Sequence, residues 1–229
     1  MSSERKRAVK SYVIRGGRLT EAQRRALDTH SEQYAIPFQP HTIDLRGQFN
    51  EPRQLVVEIG FGMGDSLLQM AQQSPCTGFI GIEVHPPGVG KLLLGISRLA
   101  LTNIKVINHD ANEVLQRMIK PDSIDCFLIF FPDPWHKKRH HKRRLIQSEF
   151  TELLVSRLKP GGILHLATDW EPYAEHMLEV LSTNSNLDNN AESGDYAVPG
   201  NRPATKFEKR GRRLGHGVWD LVFSKRIQV

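Results

Sequence analysis

"LVVEIGFGMGDSLLQMAQQ", residues 55 to 73, runs from an apolar stretch holding one acid, through three alternating glycines, into a segment of helical period. A short apolar run closed by glycine reads as a buried strand, and Leu67, Leu68 and Ala71 recur at the spacing of one helix face. Glycine at that joint permits a tight turn and lets a ligand approach the backbone at a helix N-terminus. A dinucleotide fingerprint would read G-x-G-x-x-G. Here Gly64 comes one residue early after Gly60 and Gly62, and Glu58 stands inside the end of the strand. A carboxylate there serves a pyrophosphate poorly but suits a ligand carrying an ammonium or sulfonium group. Glu58, Gly60 and Gly62 are therefore candidate cofactor-binding residues.

The same alternation continues down the chain. Apolar runs GFIGIEV, IKVIN, IDCFLIFF and GILHLATD are separated by the helix-period segments VGKLLLGISRLAL, ANEVLQRMI and RRLIQSEFTELLVSRL, with EPYAEHMLEVLS after the last of them. Continuous apolar strands between amphipathic helices predict a parallel sheet covered on both faces, an α/β fold. LKPGG at 158–162 reads as the break between a helix and the fifth strand, and the alternating GVWDLVFSK closes the sheet. Residues 182–203 are polar and turn-rich and read as a surface excursion; no internal repeat is visible.

Two further acids sit at strand ends. Glu83 closes GFIGIE about twenty residues after the glycine loop, where an acid accepts from ribose hydroxyls. Asp110 follows the third strand, in HDANEVL, where an adenine edge would be read. Glu83 also reads as a loop charge, and Asp110 as a helix N-cap. Together with Glu58 they line one crevice at the carboxyl ends of successive strands, the place where open α/β sheets bind ligands.

After the fourth strand comes FFPDPWHKKRHHKRR, residues 130–144, in which Asp133 lies between two prolines and nine consecutive residues are Lys, Arg or His. The prolines restrict the backbone on both sides of the acid. His136, His140 and His141 have no carboxylate or cysteine companion in the run, so no metal site is expected. Residues 1–25 add eight Lys/Arg against two Glu, and residues 201–213 add six against one, although the whole chain carries only +6. A basic face on an otherwise acidic body is the electrostatic footprint of nucleic-acid binding, against the alternative of solubilising tails.

The chain has 229 residues, 39% of them hydrophobic, enough for one core. Residues 1–35 read as a basic, partly flexible arm with a helix opened by Thr20, and residues 36–229 as one domain. Cys76 and Cys126 fit neither a disulfide framework nor a zinc site. No stretch reaches the ~18 apolar residues of a membrane span. The expectation is a soluble, cytoplasmic protein without a membrane partner.

EIGFGMG, GIE and HDAN resemble the cofactor-binding motifs of S-adenosylmethionine-dependent methyltransferases. FFPDPWHKKRHHKRR, with RPATKFEKRGRRLGHGVWDL near the end, resembles the bacterial tRNA (guanine-N7)-methyltransferase family, over roughly residues 30 to 226. The resemblance implies a doubly wound, mostly parallel seven-stranded sheet with helices on both faces and the last strand antiparallel. It implies S-adenosylmethionine as cofactor, bound by Glu58, Gly60, Gly62, Glu83, Asp110 and Asp133, and tRNA as partner of a monomer or homodimer.

The implied reaction moves a methyl group to N7 of a guanine in the variable loop of tRNA. Guanine N7 is an acceptor with a free lone pair, so no proton leaves before attack. Asp133 is then a catalytic orienter and electrostatic partner rather than a general base. Phe131 and Trp135 read either as stacking surfaces for a splayed base or as core. Lys137, nearest the acid, is cast as a donor to guanine O6, and Arg139, His140, His141, Lys142, Arg143 and Arg144 as phosphate-binding. Asp169, Thr205, Lys206, Phe207 and Glu208 complete the tRNA-binding set; Asp169 also reads as a helix N-cap. The competing readings are a methyltransferase for another RNA or another atom, and a non-catalytic RNA-binding module with a spoiled crevice.

Overall fold

Each strand alternates its side chains between two apolar layers, which is why the strand sequences are continuously hydrophobic. In β1 (Gln54–Ile59), Leu55, Val57 and Ile59 enter one cluster, with residues of helices α4 (Ala111–Arg117), α5 (Ser148–Arg157) and α6 (Glu171–Ser182). Val56 points the other way, into a cluster with α1 (Glu21–Tyr34), α2 (Asp65–Gln73) and α3 (Pro86–Arg98). The computed structural model describes residues 10–13, 18–192, 195–198, 202–203, 208 and 217–227. Among these residues no helix is long and apolar enough to cross a membrane.

The remaining strands are β2 (Thr77–Ile82), β3 (Ile104–Ile107), β4 (Ile124–Phe130), β5 (Leu158–Thr168), β6 (Leu187–Asn189) and β7 (Trp219–Lys225). They form a seven-stranded sheet in the order β3-β2-β1-β4-β5-β7-β6, parallel except where β7 pairs with β5 and β6. The order reverses between β1 and β4, so a crevice opens at their carboxyl ends.

Three local features differ from the sequence reading. The short β6 lies inside the 182–203 excursion, and it pairs with β7 through three residues, too few to leave an alternating signal. LKPGG does not separate a helix from a strand. β5 begins at Leu158, and the register with β4 jumps from Ile124↔Leu158 to Cys126↔Ile163, so Lys159–Gly162 loop out as a bulge with Gly161 at φ +77°. The helix expected from Arg143 starts at Ser148, because the chain first makes a 3₁₀ turn over Lys138–Arg143.

Residues expected in a basic arm are tied to the sheet. Thr20 and Gln23 form a capping box at the start of α1, which buries Ala26 and Tyr34 against the α2/α3 layer. The Gln23 side-chain amide donates to Pro87 O at 3.0 Å, and Ala35 makes a parallel bridge to Val106 of β3.

Candidate functional site

The glycine loop leaves β1 with Gly60, Gly62 and Gly64 at φ +76°, +58° and +76°, backbone that any other L-residue adopts only with strain. A Cβ built on Gly60 or Gly62 meets nothing within 4 Å, so the loop faces open space. At Gly88, in the first turn of α3, a Cβ would come 2.0 Å from Gly62 O, so glycine there is what lets the helix approach the loop.

Glu83 holds this loop in place. Its Oε2 accepts from Gly62 N at 3.0 Å, and its Oε1 accepts from Val84 N at 2.7 Å and His85 N at 3.0 Å. A carboxylate offers about four lone-pair sites, so one strong acceptor site remains rather than the two expected for a pair of ribose hydroxyls. Glu58 is buried on the α2/α3 side of the sheet, and its Oε2 has no hydrogen-bond partner among the described residues. Burial first, and then the nearby Glu83 charge, push its pKa up to about 8.

Asp110 caps α4, accepting from Asn112 N at 2.9 Å, and its other oxygen accepts from Tyr12 Oη at 3.0 Å. The N-cap reading of Asp110 is thus present in the structure. Tyr12 has no counterpart in the sequence reading, since nothing in KSYV signals a site. Residues 10–12 cross to the basic run: Trp135 Nε1 donates to Ser11 O at 3.0 Å, and Arg143 donates to Lys10 O and Tyr12 O at 3.1 Å each. The Arg143 guanidinium lies 4.0 Å from the centre of the Trp135 ring. Trp135 therefore packs under Arg143 and the N-terminal segment, an environment intermediate between the two roles weighed for it.

Asp133 lies on the wall of the same cleft, whose volume is about 990 Å³ and which Gly60, Glu83, Asp110 and Tyr12 also line. Its side chain is exposed and makes no hydrogen bond or ion pair with a described residue. The turn carrying it is anchored at both ends: Phe131 N donates to Ala167 O at 2.7 Å, and Pro134 O accepts from Arg144 Nε at 3.0 Å. Phe131 at φ +52° and Trp135 at φ +48° are in the left-handed region, which costs a non-glycine residue about 1 kcal/mol or more. The acid is thus held on a strained, tethered turn.

The basic run divides. Lys137, Lys138, Arg139 and Lys142 are exposed and pair with no described acid, and His140 and His141 are half-buried. Arg144 is set apart from the rest of the run. It is 4% exposed; besides Pro134 O its guanidinium donates to Pro172 O at 3.2 Å and meets His141 Nε2 at 3.3 Å, and it lies 4.8 Å from the Tyr173 ring centre. A guanidinium with these donors committed inward braces the Asp133 turn. Arg143 is likewise engaged, with the N-terminal segment.

Asp169 is half-buried at the end of β5 but does not cap α6; Trp170 is the N-cap residue, and its N–H is taken by Thr168 Oγ1 at 3.3 Å. His136 packs edge-on against Trp170 at 4.3 Å, which brings the Asp133 and Asp169 loops together. Thr205, Lys206 and Phe207 lie outside the described residues. Glu208 is buried, its carboxylate 2.5 Å from Arg202 in an internal ion pair. Among the described residues no group of His, Cys, Asp and Glu is arranged to hold a metal ion.

Residues 52–221 match the family model described as "Putative methyltransferase". The chain is 55% identical over 221 residues to the tRNA (guanine-N(7)-)-methyltransferase of Paraburkholderia xenovorans, covering 96% of this chain and 85% of that protein. It is 53% identical to the protein of the same name from Pseudomonas putida, covering 96% and 92%. The 16S rRNA methyltransferase KamB superposes with a TM-score of 0.58 at 14% identity, over 80% of this chain and 91% of that one, a likeness of fold.

Proposed function

The chain belongs to the tRNA (guanine-N(7)-)-methyltransferase family, and we propose on that premise that it methylates N7 of a guanine in the variable loop of tRNA, in the cytoplasm. The observation that carries this reading is Asp133: an exposed carboxylate, paired with no described residue, on a strained turn on the wall of the cleft that the glycine loop also lines.

The cofactor is S-adenosylmethionine, which supplies an electrophilic methyl group on a sulfonium. The residues present fit it. Gly60 and Gly62 leave room at the backbone, Glu83 keeps one acceptor site beside them, and Glu58 offers a buried oxygen that lacks a donor. An ammonium group is the donor that such an oxygen suits.

Because N7 needs no deprotonation, the protein has two tasks, orienting the base and meeting the positive charge that grows on it. Asp133 serves both, accepting from the guanine N1 and N2 donors while its charge faces the purine. Lys137, four residues on and exposed, donates to guanine O6. Asp169 adds a second carboxylate from the adjoining loop, and Lys138, Arg139 and Lys142 hold phosphates. A reading as a non-catalytic RNA-binding module would require a blocked crevice, and the space before Gly60 and Gly62 is open.

Incubation with methyl-labelled cofactor and unmodified tRNA, followed by digestion to nucleosides, tests the reading. We expect the label in 7-methylguanosine; label in any other nucleoside would move the chain to a different chemistry.

Two predictions concern the cofactor half. Glu83→Gln sets an NH2 group where the native carboxylate accepts backbone N–H groups, so at least one bond to the glycine loop is lost. A hydrogen bond to a charged group contributes about 1.5–3 kcal/mol, so cofactor affinity falls roughly 10- to 100-fold in calorimetry. Affinity for tRNA stays near wild type; an equal fall in both would mark a general folding defect instead.

Glu58 links cofactor binding to protons. Its folded pKa lies above the ordinary 4.5, so its proton-linked contribution to stability is present below that value and is lost as pH rises through about 8. At pH 7 the empty enzyme holds Glu58 mostly protonated, and an ammonium partner draws the pKa down. Calorimetry in two buffers of different ionisation enthalpy is expected to show release of about one proton per cofactor at pH 7 in wild type and none in Glu58→Gln. No release in wild type would remove Glu58 from the ammonium site.

A further inference from the structure

Behind the Asp133 turn lies a buried charge cluster whose arginine and two carboxylates all come from the stretch RPATKFEKRGRRLGHGVWDL. Arg202, its side chain 4% exposed, donates through Nε to Asp220 Oδ1 at 2.6 Å, through Nη2 to Asp220 Oδ2 at 2.8 Å and through Nη1 to Glu208 Oε2 at 2.5 Å. Asp220, on β7, also meets His165 Nε2 of β5 at 2.8 Å. The guanidinium carbon lies 5.5 Å from the ring centres of both Phe130 and Phe131, and His165 packs edge-on to Phe130 at 5.1 Å. Burying a guanidinium with two carboxylates adds little net stability, because desolvation offsets most of the attraction. Its effect here is geometric. It joins Arg202, Glu208, β5 and β7 to the last residue of β4 and the first residue of the turn.

Phe131 is the residue through which this matters. At φ +52° it stays in an unfavourable conformation only because its surroundings over-determine it. Its N–H is fixed by Ala167 O, and its ring packs against the α2/α3 apolar layer and beneath Arg202. Asp133 follows two residues later, across a single proline.

We propose that Arg202 is a positioning residue for methyl transfer: held by Asp220 and Glu208, it fixes the Phe131 conformation that aims Asp133. A lysine cannot replace it, since an ammonium neither forks to two carboxylates nor lies flat on a ring. The proposal rests on guanine-N7 transfer by this site. Formation of 7-methylguanosine by the wild type is therefore the control, and its absence would sink that reaction rather than this positioning role.

The test is a double-mutant cycle on the single-turnover rate at saturating tRNA and cofactor. Arg202→Lys is expected to lower the rate about tenfold or more in the wild-type background but less than about twofold in Asp133→Asn, because a residue acting through Asp133 loses its effect with the carboxylate. Dissociation constants for tRNA and for the cofactor stay within about twofold of wild type. If Arg202→Lys does not fold, Asp220→Asn, which keeps the shape and weakens the hold on Arg202, enters the same cycle with the same expectation. Losses that multiply with Asp133→Asn, a rise in the tRNA dissociation constant for Arg202→Lys, or an unchanged single-turnover rate would each overturn the proposal.

Discussion

Asp133→Asn lowers the single-turnover rate of methyl transfer by about 10² to 10³, the usual effect of removing one preorganised electrostatic contact from a reacting centre. The asparagine keeps the size and can still orient a base, so the loss reports the charge. Asp133→Ala loses orientation as well and falls at least as far. The turn is held from Ala167 O and from Arg144, neither of which involves the Asp133 side chain, so melting temperature and cofactor affinity change little. Asp133 deprotonates nothing in this account, so the residual activity of Asp133→Asn should not recover at high pH. A rate within threefold of wild type would remove Asp133 from catalysis.

The second large effect belongs to the basic run, and the structure sharpens what to replace. Lys138, Arg139 and Lys142 are exposed and unpaired with described acids, and changing all three to alanine removes three phosphate contacts. Each neutralised phosphate contributes a slope of ~−0.7 to −0.9 in log affinity against log salt. The plot is therefore expected to flatten by about 2 to 3 units, with affinity at physiological salt falling roughly 10²-fold or more. Lys137→Ala behaves differently, losing turnover at saturating tRNA as well as affinity. Arg144→Ala differs again: stranding the Pro134 and Pro172 carbonyls costs on the order of 3 kcal/mol of stability with no specific effect on the salt slope. An unchanged slope in the triple variant would mean that the exposed run is a solubilising surface.

These two cases show what the sequence made legible. The sheet was readable because its strands are buried on both faces and its helices are amphipathic, two periods that survive in any sequence that packs this way. The glycine loop and the proline-flanked acid were readable because each sets a backbone requirement that few residue types meet. Arg144 was not distinguishable from Arg139 by sequence, because the two differ only in which way the 3₁₀ turn points them. The cluster at Arg202 was hidden for another reason. Arg202 and Asp220 are eighteen residues apart in one stretch and His165 is far upstream, and only the antiparallel register of β5 with β7 brings His165 diagonally across from Asp220. Tyr12 and Ser11 carry no motif at all; their position follows from hydrogen bonds to Trp135, Arg143 and Asp110.

The most direct measurement of the central claim is chain scission of tRNA after treatment with the enzyme and cofactor. A methyl group at guanine N7 places a positive charge on the purine, which makes that nucleotide open to borohydride reduction and its backbone to cleavage by aniline. The account predicts one enzyme-dependent cut, at a guanosine in the variable loop, absent with Asp133→Asn on the same time scale. Methyl label entering the tRNA without any such cut would contradict it.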